Sequence, residues 1–357
     1  MPATRLSQTG NYKTTYRQDQ GIFSNRKELI WMVLLLAALL LAPLVTPRTM
    51  LRDFDLIMIF GIAALGLNIT TGYTGLINMG QGAFMGVGAY AGVVAANALN
   101  LNLFFALLVG GLSAALIGGI VGLPSLRLKH LYLAVATLAF QEIFTWSVGH
   151  SRLLAQGGAI PAPAVSIFGI RDTFLTHNMF WYYLILPILA FLVLVWRNVL
   201  RGKHGRSLIA IRDNDRAAAA MGINPATAKL TSFMLGSFYA GVAGVLLAYF
   251  SKSVVIEDYG LDVGIKVLAM TIVGGLGSIP GSVFGPAFII GLDRVMEQVA
   301  NWLGGLNLFP SGVDVATALR PLSFGLAIML FLMFQPHGLA SWWDKLRQYV
   351  TKWPYKS

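Results

Sequence analysis

Cysteine is absent from the 357 residues, which excludes disulfides, thiol nucleophiles and thiolate metal sites. Charge is scarce as well. Asp, Glu, Lys and Arg make up 11% of the chain, against roughly 25% in an ordinary soluble domain. The five histidines are scattered, and no H-E-x-x-H pair occurs. A G-x-x-x-x-G-K-[ST] stretch is also missing, so the chain has no phosphate-cradling loop and carries no ATPase motif of its own. No triad or metal constellation is visible, which argues against an enzyme.

What the chain does have is apolar sequence in long blocks. Hydrophobic residues make up 56%, in runs that can cross about 30 Å of hydrocarbon. There are 39 glycines, and small residues let membrane helices approach closely or break where a pathway is lined. The net charge of +11 does not indicate nucleic-acid binding, because the basic residues flank apolar spans instead of forming one face.

The pattern predicts an all-α, polytopic integral membrane protein with about ten transmembrane helices (eight to ten). They fall near 29–46, 54–70, 76–98, 103–123, 131–149, 179–197, 230–250, 262–278, 282–303 and 318–335. The third and eighth are rich in glycine, which leaves a simple span and a re-entrant or interrupted helix both open there. A tail over 1–28 and another over 341–357 bracket this domain. With both tails placed in the cytoplasm, 18 basic residues fall on the inner side and 6 on the outer, with Lys266 and Arg294 inside spans. Trp31, Trp181, Trp196, Trp342 and Trp343 lie near span ends and are expected to form an interfacial belt. The outer loop, roughly 150–178, shapes a vestibule or simply links two spans.

The inner loop, 198–229, is charged, and it reads by helix rules. Asp213 or Asn214 caps a start. Arg216-Ala-Ala-Ala-Ala-Met221 is strongly helical, and Gly222 is a natural stop. Asn224 then caps a second helix with Pro225 at its first position, where the missing N–H costs nothing. A helix of two turns is too short to be stable alone, so it is expected to dock on a partner protein. The plainer reading is a solvated loop.

Polar residues at membrane depth mark sites or helix-to-helix glue. Asn68, Asn78, Gln81, Gln141 and Glu142 are of this kind, and with Phe84 they are the pathway candidates. Glu142 could pair with Lys266 or another base. Asp293 and Glu297 share a helix face, and Arg294 lies three residues before Glu297. The spacings Gly82-x-x-x-Gly86 and Gly88-x-x-x-Gly92 suit either a pathway or close packing.

Four stretches together resemble the branched-chain amino acid ABC transporter permeases of the LivM type. They are Ser207–Asn224, Gly72–Tyr90, Gly274-Gly-Leu-Gly-Ser-Ile-Pro-Gly281 and Gln335-Pro-His-Gly-Leu339. The resemblance covers about residues 50–340. It departs at Gln335, where members commonly carry Arg, and at Asn78, where they commonly carry Ser. It implies an import permease in a bacterial cytoplasmic (inner) membrane, with no cofactor in this chain and ATP and Mg bound by a partner. The implied partners are a second homologous permease (LivH type), two cytoplasmic ABC ATPase subunits and a soluble extracytoplasmic binding protein. The resemblance also implies a coupling helix that contacts the ATPase through Arg212, Asp213, Asn214, Asp215, Arg216, Ala219, Met221 and Gly222. The implied substrate is a branched-chain or other neutral amino acid, with urea or a short amide as the alternative. A stand-alone proton-coupled transporter using Glu142, Asp293 and Glu297 is the reading from a different class.

Overall fold

The computed structural model describes residues 39–44, 46–126, 131–151, 159–167, 170–171 and 177–305, with short pieces between 325 and 343. Most of the expected first and tenth spans and both tails lie outside the described residues. The helices used below are, in chain order, α1 (Arg48–Leu67), α2 (Gln81–Leu99), α3 (Leu103–Gly122), α4 (Leu131–His150), α5 (His177–Arg201), α6 (Lys203–Asp213), α7 (Asp215–Ala220), α8 (Pro225–Phe250), α9 (Leu261–Gly274) and α10 (Gly281–Gly305). Five described helices are long and apolar enough to cross a membrane: Thr49–Gly72, which joins α1 to a π turn, together with α2, α3, α5 and α8.

α8 is the central post. It packs against α3, α2 and α1, and Gly236, Gly241 and Gly244 line its contacts. A Cβ added at Gly244 would stand 1.9 Å from the Met85 carbonyl oxygen, and one at Gly88 would stand 2.3 Å from Gly241 Cα. Backbones this close leave room for hydrogen only, the small-residue packing of membrane helices. Gly82, Gly88 and Gly92 serve such contacts, each within 3 Å of a neighbouring backbone atom once a Cβ is added, and Gly86 makes room for the Phe144 ring. α10 packs against α1 and α9, and α5 against α1.

The glycine-rich third and eighth segments depart from simple spans. The third becomes helical only at Gln81, after a non-helical approach through residues 73–80. The eighth is α9, of 14 residues, about 21 Å long at 1.5 Å per residue and short of a full crossing.

Two expectations are corrected. Trp181 and Trp196 do not lie in an interfacial belt: they are 0% and 1% exposed. Trp181 packs edge-on against Phe250, and Trp196 against Tyr73. Proximity to a span end does not tell which face of the helix a ring occupies, and here it is the packed face. Trp342 and Trp343 are exposed. The second correction concerns the 198–229 insert, which is not mainly loop. α5 runs on to Arg201, and α6 fills residues 203–213 by burying Leu208 and Ile211.

The 150–178 loop is tied down by a short antiparallel pair. β1 (Ala159–Pro161) pairs with β4 (Ser253–Val255), and a second pair joins β2 (Ser166–Ile167) to β3 (Ile170–Arg171). The end of the loop after α4 therefore lies at the same end of the bundle as the end of α8.

Candidate coupling site

The insert forms as its residues dictate. Asn214 Oδ1 accepts from the Arg216 and Ala217 N–H groups at 3.0 and 3.1 Å, capping α7. The helix stops at Gly222, whose φ of +82° is strained for any residue with a Cβ. Asn224 Oδ1 then accepts from Ala226 and Thr227, and Pro225 is the first residue of α8. Lys229, 7% exposed, holds Asp215 at 2.5 Å and so ties the start of α8 to the start of α7. Only Ala218 of α7 is buried; Arg216, Ala217, Ala219 and Ala220 are exposed, and Met221 is 84% exposed. The result is a small apolar knob with charged flanks, held rigidly at its base. Asp213 and Asn214 are exposed beside it.

Arg212 behaves differently from the rest of the insert. Its guanidinium points back into the bundle, where Nη1 donates to the Gly72 carbonyl at 3.1 Å. Nε and Nη2 both donate to Asp213 Oδ1 at 3.2 Å, which fixes the orientation of the fork. Its side chain fills the space over two glycines. A Cβ on Gly75 would lie 3.1 Å from Arg212 Cγ, and one on Gly277 would lie 3.1 Å from Nη1. The family resemblance placed Arg212 among the partner contacts and could not indicate this second attachment.

Gly72 ends a π-helical turn, Asn68–Gly72, where the chain leaves α1. Such turns are rare and concentrate at functional sites. Asn68, fully buried, bridges this break to the break between α9 and α10. Its Nδ2 donates to Ser278 O (2.8 Å) and Ser282 Oγ (2.9 Å), and its Oδ1 accepts from Gly277 N at 2.7 Å. Nearby, the Thr74 and Ser232 hydroxyls lie 2.7 Å apart, joining the first break to α8. The chain returns to this place once more, where Leu339 N donates to Val273 O at 2.9 Å and Gly338 sits on Gly275. Parts of the four stretches singled out in the sequence (Gly72 and Gly75, Arg212, Gly275 and Gly277, Gly338 and Leu339) thus converge on one end of the bundle, while residues 335–337 lie outside the described residues. Ser278 and Ser282 were missed; the glycines around them were noticed, but their partner 210 residues away leaves no local trace.

Asn68→Leu tests this bridge. The half-buried Gly277 N–H would lose its acceptor, at about 1–3 kcal/mol, while Ser278 O and Ser282 Oγ lose one bond each and keep the one between them. The expected result is a clear loss of thermal stability of the detergent-purified protein, with unchanged insertion into membranes.

The other pathway candidates occupy a second cluster. Asn78 Nδ2 donates to Gln81 Oε1 (3.2 Å), and Gln81 Nε2 donates to Ala63 O (2.9 Å). Gln141 Oε1 accepts from Ala83 N at 2.6 Å, and its Nε2 donates to Tyr259 O at 2.8 Å. All three side chains are buried and join α1, α2, α4 and the turn before α9. Phe84 is buried against Phe140, with ring centroids 4.9 Å apart. Glu142, next to Gln141, is exposed. It does not pair with Lys266, whose Nζ lies 2.5 Å from Asp293 Oδ2 instead. Arg294 pairs with Asp53 and also donates to Thr49 Oγ1. Lys266 and Arg294 are thus neutralised between helices, α9 with α10 and α10 with α1.

The model of a protein family described as "Branched-chain amino acid transport system / permease component" matches residues 49–334. The chain belongs to that family. It is 31% identical over 277 residues to the high-affinity branched-chain amino acid transport system permease protein LivM of Escherichia coli (strain K12), covering 71% of this chain and 65% of that protein. It is 28% identical over 309 residues to LivM of Salmonella typhimurium, covering 79% and 73%. A probable branched-chain amino acid transport permease protein LivH from Methanocaldococcus jannaschii is 28% identical over 308 residues, covering 81% and 91%. The chain therefore spans just under two thirds of the E. coli relative's length. No solved structure matches it. As a member of this family the chain is a multi-pass membrane permease component, not an enzyme.

Proposed function

We propose that this chain is the translocating, non-hydrolysing subunit of an ATP-driven importer for branched-chain or other neutral amino acids, in a bacterial cytoplasmic membrane with both tails in the cytoplasm. The knob made by α7 is gripped by a separate ABC ATPase that binds ATP and Mg. A second homologous permease and an extracytoplasmic binding protein complete the assembly. The observation that carries this reading is the double attachment of the insert. One side of it, Ala219 to Gly222, is free to be held by another protein. The other side, Arg212, is bonded to the backbone where α1 breaks. A force on the knob is thereby delivered to the breaks themselves.

A pathway for a small neutral solute needs few fixed charges, and the cluster of Asn78, Gln81 and Gln141 supplies neutral polar groups at depth. The relatives' names support the substrate class.

The direct test is uptake into vesicles holding this chain, the second permease, the ATPase and the binding protein, with leucine, alanine and urea as solutes. ATP-dependent leucine or alanine uptake is expected. Urea uptake alone would change the substrate class, and proton-driven uptake by this chain alone would overturn the importer reading. Within that assay Met221→Glu puts a charge on the most exposed apolar side chain of the knob. Uptake and ATPase co-purification are expected to fall at least tenfold, while the amount of membrane-inserted chain stays the same.

A further inference from the structure

α4 carries an ionisable group where lipid does not tolerate one, and that places its partner. The helix starts just beyond the 3₁₀ turn that follows α3, whose last residue Gly122 lies on Phe233 and Leu230 near the start of α8. It ends with Gly149 against Ile256, beyond the other end of α8. Its two ends therefore lie on opposite sides of the layer that α8 crosses. Glu142 is the twelfth of its twenty residues, about 16 Å past the first and about 12 Å short of the last, which is close to the middle of a 30 Å core.

One face of α4 is bonded into the bundle through Thr137, which accepts from Met79 N, and through Gln141. The opposite face is an exposed stripe at helical spacing: Tyr132, Val135, Glu142, Trp146 and His150. A carboxylate at this depth costs about 2.5–3.5 kcal/mol or more if lipid surrounds it, and such residues face protein or water. α3 provides the contrast. Its exposed face, with Phe105, Leu108, Leu112, Leu116 and Ile120, holds no ionisable group and suits lipid as it stands.

We infer that the α4 stripe centred on Glu142 is the seam against the second permease chain, with Glu142 at the water-accessible middle of that seam, while α3 faces lipid. This rests on the reading that the chain works in a permease pair, and it goes further by naming the face. The occupant is a homologous permease because the stripe is as long as the span. A soluble binding protein or ATPase cannot reach its middle, and the described end of the chain's own first span is held on α5, where Tyr182 and Tyr183 donate to Leu39 O and Leu40 O, so the second membrane chain of the pair is the occupant that covers its full height.

Because the chain lacks cysteine, single-cysteine variants give a clean test. Val135→Cys and Glu142→Cys on α4, and Leu112→Cys on α3, are labelled with benzophenone-maleimide in membranes holding the whole importer and then irradiated. Both α4 positions should give a product with the mass of two permease chains, at least fivefold above Leu112→Cys, which should attach to lipid. Val135→Cys carries the test if the change at 142 prevents assembly. Attachment of the α4 positions to lipid, or within one chain, or a permease pair formed through Leu112→Cys, overturns the inference. ATPase co-purification is scored on the same membranes. An intact complex with α4 attached to lipid sinks this inference alone. Loss of both the ATPase and the second permease sinks the reading beneath it and the inference together.

Discussion

Arg212→Ala should abolish coupled uptake, by about a hundredfold or more, while leaving the permease inserted and the ATPase bound. The side chain is 37% exposed, so its removal leaves no enclosed cavity and the bundle stays folded. What is lost is the charge-assisted bond to Gly72 O, worth about 1.5–3 kcal/mol, and the filling of the space over Gly75 and Gly277. The knob of α7 would still be capped by Asn214 and anchored by Lys229–Asp215, so docking on the ATPase would persist. ATP hydrolysis should then continue without transport. Arg212→Lys should recover only part of the activity, because an ammonium cannot hold Asp213 and Gly72 with a planar fork. Uptake and ATP hydrolysis measured on the same vesicles decide the matter. Loss of both in parallel with loss of the complex would make Arg212 a docking residue instead.

Gly244→Leu should prevent folding altogether. A Cβ there would lie 1.9 Å from the Met85 carbonyl oxygen, with the Met85 carbonyl carbon and Cα also within 3 Å. The obstacle is backbone, so no side-chain rotation relieves it, and α8 would have to move off α2. Overpacking in a core costs about 1–3 kcal/mol when side chains can shift; here the cost is expected at or above the upper end. α8 is the helix that α1, α2 and α3 all pack on, so the damage is global. The control is Gly291→Leu on α10, where an added Cβ meets nothing within 4 Å. Membrane-inserted, detergent-extractable protein should fall at least tenfold for Gly244→Leu and stay within twofold for Gly291→Leu. Equal yields would mean that α8 and α2 do not approach as described.

Residues whose meaning is local could be understood from the sequence. Asn214, Gly222, Asn224 and Pro225 each do in the structure what their chemistry predicts. α6 was missed because its charged residues, Lys203 to Arg206, hid the apolar spacing of Leu208 and Ile211 that packs it down. The neutral glue around Asn68 and Gln141 could be suspected from residue type, but its partners could not. Asn68 bonds to residues more than 200 positions later, and Gln141 bridges Ala83 to Tyr259. Glu142 was the acidic candidate for Lys266, and only the packing of α9 on α10 puts Asp293 there instead.

By itself, the sequence determined that this is a helical membrane permease with a short capped helix stranded between spans. Hydrophobic length, helix caps and glycine stops act over a few residues and are written in order along the chain. The tertiary structure alone decided that Arg212 turns inward to the break after α1, that Trp181 and Trp196 are core, and that Glu142 stands on the uncovered face of α4. Which way a side chain points depends on the helix packed beside it. In a bundle closed by backbone contacts between distant glycines, that neighbour is set by the whole fold.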